Sequence, residues 1–126
     1  MADTIALVTG ANKGLGKEIS RQLAAKGVFV LMGARERERG ESAAAELRAQ
    51  GLAVEFTEVD VTSQPSVEHA AAEAERRHGR LDILVNNAGV ALDWIPSSEL
   101  SVEALRQTFE VNVFGVFRVT KAVLPL

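Results

Sequence analysis

A glycine-rich turn, Gly10-Ala11-Asn12-Lys13-Gly14-Leu15-Gly16, lies between a short apolar run and a segment with helical spacing. Before it, Thr4-Ile5-Ala6-Leu7-Val8 is apolar enough for a buried strand, and after it Leu15, Ile19 and Leu23 recur every four residues. Glycine permits backbone angles and close approaches that a Cβ forbids, and a helix start offers unpaired N–H groups at the positive end of its dipole. Such a strand-turn-helix unit can hold a diphosphate. The spacing is G-x-x-x-G-x-G and not the G-x-G-x-x-G of the common dinucleotide fingerprint. Glycine turns also serve only to link strands to helices, so the loop alone leaves both readings open.

The rest of the chain repeats the strand-helix alternation. Residues 28–32 form a second continuous apolar run, as expected for a parallel sheet covered on both faces. Residues 36–50, rich in Glu, Arg and Ala, predict a solvent-facing helix with Ala43 and Leu47 turned inward and Gly51 as its stop. Residues 53–59 alternate as a strand nearer the sheet edge would. A helix follows Asp60-Val61-Thr62-Ser63, with Pro65 in its first turn, an apolar face of Val67, Ala70, Ala71 and Ala74, and an end at Gly79. Leu81-Asp82-Ile83-Leu84-Val85 reads as the fourth strand and runs into Asn86-Asn87-Ala88-Gly89. Residues 89–100 read as a loop, and Ser101 as the N-cap of a helix that continues, with a bend, to Leu124. Its second part is apolar on nearly every side and so requires a partner surface.

This βαβαβαβα order predicts an α/β fold with a doubly wound parallel sheet, Rossmann-like, in strand order 3-2-1-4. The switch point between strands one and four brings residues 10–16 and 86–89 to one crevice, where such sheets bind ligands. The 126 residues are read as the amino-terminal, cofactor-binding part (1–126) of a single Rossmann-type domain.

Composition narrows the function classes. A net charge of -3 argues against a general nucleic-acid binder. The absence of cysteine removes disulfides, a thiolate nucleophile and thiolate zinc sites, and no metal site is expected. No apolar run approaches membrane-spanning length and no signal peptide is evident, so the expectation is a cytoplasmic protein with no membrane partner.

The motifs together resemble the classical short-chain dehydrogenase/reductase family: Thr9-Gly10-x-x-x-Gly14-x-Gly16, Asp60-Val61, Asn86-Asn87-Ala88-Gly89, and Asn112 within Val111-Asn112-Val113-Phe114-Gly115. Asn12-Lys13-Gly14 with Ala34-Arg35 and Arg39-Gly40 is most similar to the NADPH-dependent carbonyl reductases of that family. The resemblance implies that Gly10, Asn12, Lys13, Gly14, Leu15 and Gly16 wrap a diphosphate and adenosine ribose. It implies that Asp60 and Val61 contact the adenine, with Asp60 accepting from its amine. Asn87 and Ala88 would line the ribose side, Asn86 would hold strand four to its neighbours, and Asn112 would belong to the catalytic set, its helix carbonyl anchoring a water in a proton relay.

Cofactor choice follows from charge. An NAD enzyme places a carboxylate at the end of strand two, and Ala34 stands there instead. Arg35 and Lys13 converge on the same ribose and suit a 2′-phosphate, so NADP(H) is expected, with Glu36 as an acidic competitor and Arg35 as a surface residue the other reading.

The family's proton donor is a tyrosine in a Tyr-x-x-x-Lys pair, assisted by a serine on the fifth strand. This chain has no tyrosine. The expectation is an NADP(H)-dependent oxidoreductase of a ketone or aldehyde substrate, with the 126-residue chain inactive on its own; the alternative is a truncated, non-catalytic dinucleotide-binding or partner-associating protein. The helix after Ser101 could mediate homo-oligomers. A methyltransferase or flavodoxin-like protein would not call for Asn-Asn-Ala-Gly or Asn112. Trp94 is open between pocket wall and packing residue. His69 and His78, among Glu and Arg, read as solvated; Ser97 and Ser98 as loop residues; Thr9 as a turn residue bonding the motif backbone; and the run from Arg35 to Arg39 as a wet helix start apart from Arg35 and Arg39.

Overall fold

A computed structural model of the chain describes residues 4–89 and 96–126. Trp94 and half of the 89–100 loop, residues 90–95, therefore lie outside the described residues. Four strands, β1 (Ile5–Val8), β2 (Phe29–Ala34), β3 (Val54–Glu58) and β4 (Ile83–Val85), alternate with α1 (Gly14–Ala25), α2 (Arg37–Ala49) and α3 (Gln64–His78). After β4 come a 3₁₀ turn (Ser97–Glu99), α4 (Val102–Phe109), a π-helical turn (Glu110–Gly115) and α5 (Val116–Val123). The sheet is parallel throughout in the order β3-β2-β1-β4, as expected. Leu7 of β1 stands between Leu31 of β2 and Leu84 of β4.

Two apolar layers cover the sheet. Val8, Val30, Met32 and Phe56 pack under α1 and α2, with Ala43, Ala44 and Leu47 buried as the Ala/Leu spacing of α2 dictates. Ile5, Leu7 and Leu31 pack on the other face with Val67, Ala70 and Ala74 of α3 and Val119 and Val123 of α5. The side-chain period of two along β1 sorts its residues between these layers. Ser63 and Ser101 cap their helices by accepting from the Ser66 and Ala104 N–H groups. Gly79 closes α3 in the left-handed conformation.

Three local expectations are corrected. Strand two runs on through Gly33 and Ala34, because Ala34 still pairs with Glu58 of β3. The buried stripe of α1 is Gly16, Ser20 and Ala24, with Ile19 and Leu23 beside it; Leu15, in the first turn, is 70% exposed. His78 is not solvated: its ring lies 5.1 Å from that of Phe29, with Nε2 3.4 Å from Glu55 Oε1. The long last helix, expected to bend at some point before Leu124, changes winding over Glu110–Gly115. Phe109, Val113, Phe114 and Phe117 leave much of its apolar surface exposed.

Candidate functional site

At the carboxyl ends of β1, β2 and β4 the chain forms a cleft of about 470 Å³. Gly10, Asn12, Lys13, Gly14 and Leu15 line one side, Ala34, Arg35, Asp60 and Val61 another, and Asn87, Ala88 and Gly89 a third. The switch-point crevice thus brings together every expected cofactor residue except Gly16. Val59, Thr62 and Val111 also line it; the sequence carried no separate signal for them, although Thr62 follows Asp60 at the spacing of an Asx turn.

Gly16 does not face the cleft because it is pressed beneath it. A Cβ there would stand 2.2 Å from the Gly10 carbonyl oxygen and 2.5 Å from Asn87 Nδ2. The loop can fold back on the helix start only with glycine at this position, and Gly10 and Gly14 complete the turn with φ of 62° and 58°. The result leaves the first turn of α1 and the backbone around Gly14 open to a ligand.

Thr9 joins the two motifs. Its hydroxyl accepts from the N–H groups of Asn87 and Ala88, both at 3.0 Å, and its own N–H donates to the Val85 carbonyl at 3.1 Å. Asn87 Nδ2 returns a bond to the Gly10 carbonyl at 3.1 Å. The Asn86 side-chain amide donates to Thr120 Oγ1 of α5 at 3.2 Å, so the neighbour to which it fastens the end of β4 is a helix.

Asp60 Oδ1 accepts from the Thr62 hydroxyl at 2.7 Å and the Thr62 N–H at 3.0 Å. The hydroxyl bond, joined by the charges of Arg35 and Arg118, holds its carboxyl below the usual range against the opposing effect of burial. Asp60 is therefore an anion and an acceptor at neutral pH.

Lys13 and Arg35 form no ion pair among the described residues, whereas Glu36 is engaged by Arg39 at 3.2 Å. The acidic competitor is thus turned to Arg39, and two cations without an ion pair among the described residues border one cleft, with the Asp60 carboxylate in the same lining. That donor set fits a dianion. Asn112 lies on the π-helical turn; its Oδ1 would be 3.3 Å from a Cβ built on Gly89, at the mouth of the cleft. Among the described residues no cluster of His, Asp and Glu could hold a metal ion, and no helix is long and apolar enough to cross a membrane.

Residues 4–126 match the short chain dehydrogenase family. Carbonyl reductase 1 (NADPH) of Mus musculus is 39% identical over 123 residues, covering 97% of this chain and 44% of the relative. A variant of actinorhodin polyketide ketoreductase solved with NADPH superposes with a TM-score of 0.88 at 40% identity, over 98% of this chain and 48% of that one. An alcohol dehydrogenase from the archaeon Thermococcus sibiricus, solved with 5-hydroxy-NADP, gives a TM-score of 0.88 at 38% identity, over 97% and 52%. The chain spans about half the length of these relatives.

Proposed function

This chain belongs to the short chain dehydrogenase family, and from that premise we propose that it is the dinucleotide-binding part of an NADP(H)-dependent oxidoreductase that interconverts a ketone or aldehyde with its alcohol. One observation carries the cofactor choice: Lys13 and Arg35, without ion pairs among the described residues, border the same cleft, while Ala34 stands where an NAD enzyme would place a carboxylate. NADPH supplies the hydride for carbonyl reduction. The relatives solved with NADPH and 5-hydroxy-NADP support the same choice.

The chain's own residues bind and orient. The open N–H groups at the start of α1 and the glycine turn receive the diphosphate. Arg35 and Lys13 receive the 2′-phosphate. Asp60, held anionic by Thr62, accepts from the adenine amine, and Val61 packs against the ring. Asn87 and Ala88 line the ribose side, fixed there by Thr9. Asn112 serves the catalytic set, its main-chain carbonyl anchoring a water in a proton relay.

Proton transfer to the substrate oxygen needs an acid that these residues do not provide. The sequence has neither tyrosine nor cysteine, and the two histidines sit on α3, away from the cleft-lining set. The 126-residue chain therefore binds the dinucleotide without turning over carbonyl substrate. The apolar face of α4 and α5 would serve self-association, and a cytoplasmic location suits a free nicotinamide dinucleotide. Mixing the folded chain with NADPH tests the reading. An enhanced, blue-shifted nicotinamide fluorescence supports it; an unchanged spectrum with a folded chain rejects it.

A further inference from the structure

Asp60 and Val61 are adjacent, yet they are held in different ways. The bonds of Asp60 reach no further than six residues: to Ser66 Oγ, to Thr62, and from the Ser63 N–H. The Val61 carbonyl accepts from Arg118 Nη1 at 3.2 Å, across 57 positions of sequence. The other Arg118 nitrogen, Nη2, donates to Glu110 Oε1. Glu110 opens the π-helical turn, and Arg118 lies on the first turn of α5 beyond it. One guanidinium therefore bridges the two sides of that turn and fastens them to the β3–α3 connection. The contact is close, since a Cβ on Gly115 would stand 2.8 Å from Val61 Cγ2. The Arg118 side chain is 21% exposed, which limits competition from water.

We propose that Arg118 is a positioning residue, which through Val61 and Glu110 sets the adenine end of the cleft against the π-helical turn that carries Val111 and Asn112. This rests on the dinucleotide reading given above. π-Helical turns recur at functional sites because the widened winding re-aims the residues they carry. Arg118 ties this turn to the β3–α3 connection from a planar fork with two fixed donors. Lysine has the charge but not the fork.

The test uses the 126-residue chain with NADPH and with adenosine 2′,5′-bisphosphate, which occupies only the adenine half. Arg118→Met is expected to weaken both by about tenfold, the scale of one lost charged hydrogen bond felt indirectly. Arg118→Lys should recover part of that loss, and Glu110→Gln, which keeps the Val61 bond, should cost roughly threefold. A folded Arg118→Met chain that binds both ligands within twofold of the parent overturns the proposal. So does full recovery by lysine, which would leave charge alone as the cause. Should the methionine variant not fold, Glu110→Gln decides: unchanged affinity for both ligands rejects the tie. A parent chain that binds neither ligand overturns the dinucleotide reading itself and this proposal with it.

Discussion

The side-chain amide of Asn87 donates to the Gly10 carbonyl at 3.1 Å, so the turn after β4 braces the glycine loop after β1. The bond is partly buried and has no substitute on the Gly10 side among the described residues. Removing it leaves a carbonyl short of a partner next to the cleft. Asn87→Leu is expected to destabilise the chain by about 1–2 kcal/mol in urea unfolding and to weaken NADPH binding in parallel. Unchanged stability would mean that water replaces the amide without cost.

Gly16→Ala should be more damaging than any substitution at the exposed Leu15. The new methyl would meet both the Gly10 carbonyl and Asn87 Nδ2 well inside contact distance. Overpacking of a site formed by backbone costs about 1–3 kcal/mol, and here the displaced atoms are those that shape the loop. The urea midpoint of the variant, compared with Leu15→Ala, checks the ranking.

The charges at Lys13 and Arg35 predict a selective loss. Arg35→Ala should reduce NADPH affinity by roughly 10–100-fold, as expected for a charge-assisted contact, and leave NADH affinity nearly unchanged. Lys13→Ala should act in the same direction. Equal losses for both dinucleotides would assign these cations to the diphosphate.

Asp60 makes stability depend on pH in a defined sense. Its carboxyl is depressed in the folded chain, first by the Thr62 hydroxyl. It therefore contributes stability above the unfolded value of about 3.9, and that contribution is lost as pH falls through the folded value. Thr62→Val should raise the folded value toward the ordinary one, so acid unfolding should begin at a higher pH than in the parent. Circular dichroism along an acid titration measures this; coincident curves would show that the hydroxyl bond does not matter.

Much of this was legible in the sequence because the informative residues do one thing each. Apolar runs separated by helical spacing fix strand order, and a glycine turn after a strand has few uses, so the meeting of residues 10–16 and 86–89 followed from topology. What stayed hidden depends on long-range partners. Nothing local in Leu15, Ile19 and Leu23 tells that Gly16 takes the buried position and turns Leu15 outward. Asn86 could bond to any neighbour until α5 supplied Thr120. Arg118 is one cation among many in helical segments, and only its distance from Val61 sets it apart. The π-helical winding of Glu110–Gly115 leaves no periodicity that six residues could reveal.

The ratio of NADPH to NADH dissociation constants, measured by calorimetric titration of the folded 126-residue chain, reads out the cofactor choice of the cleft. Both are expected to bind, with NADPH tighter by at least about tenfold if Lys13 and Arg35 receive the extra phosphate as proposed. Equal constants, or tighter binding of NADH, would contradict the assignment of those cations. No binding of either by a folded chain would contradict the cleft itself.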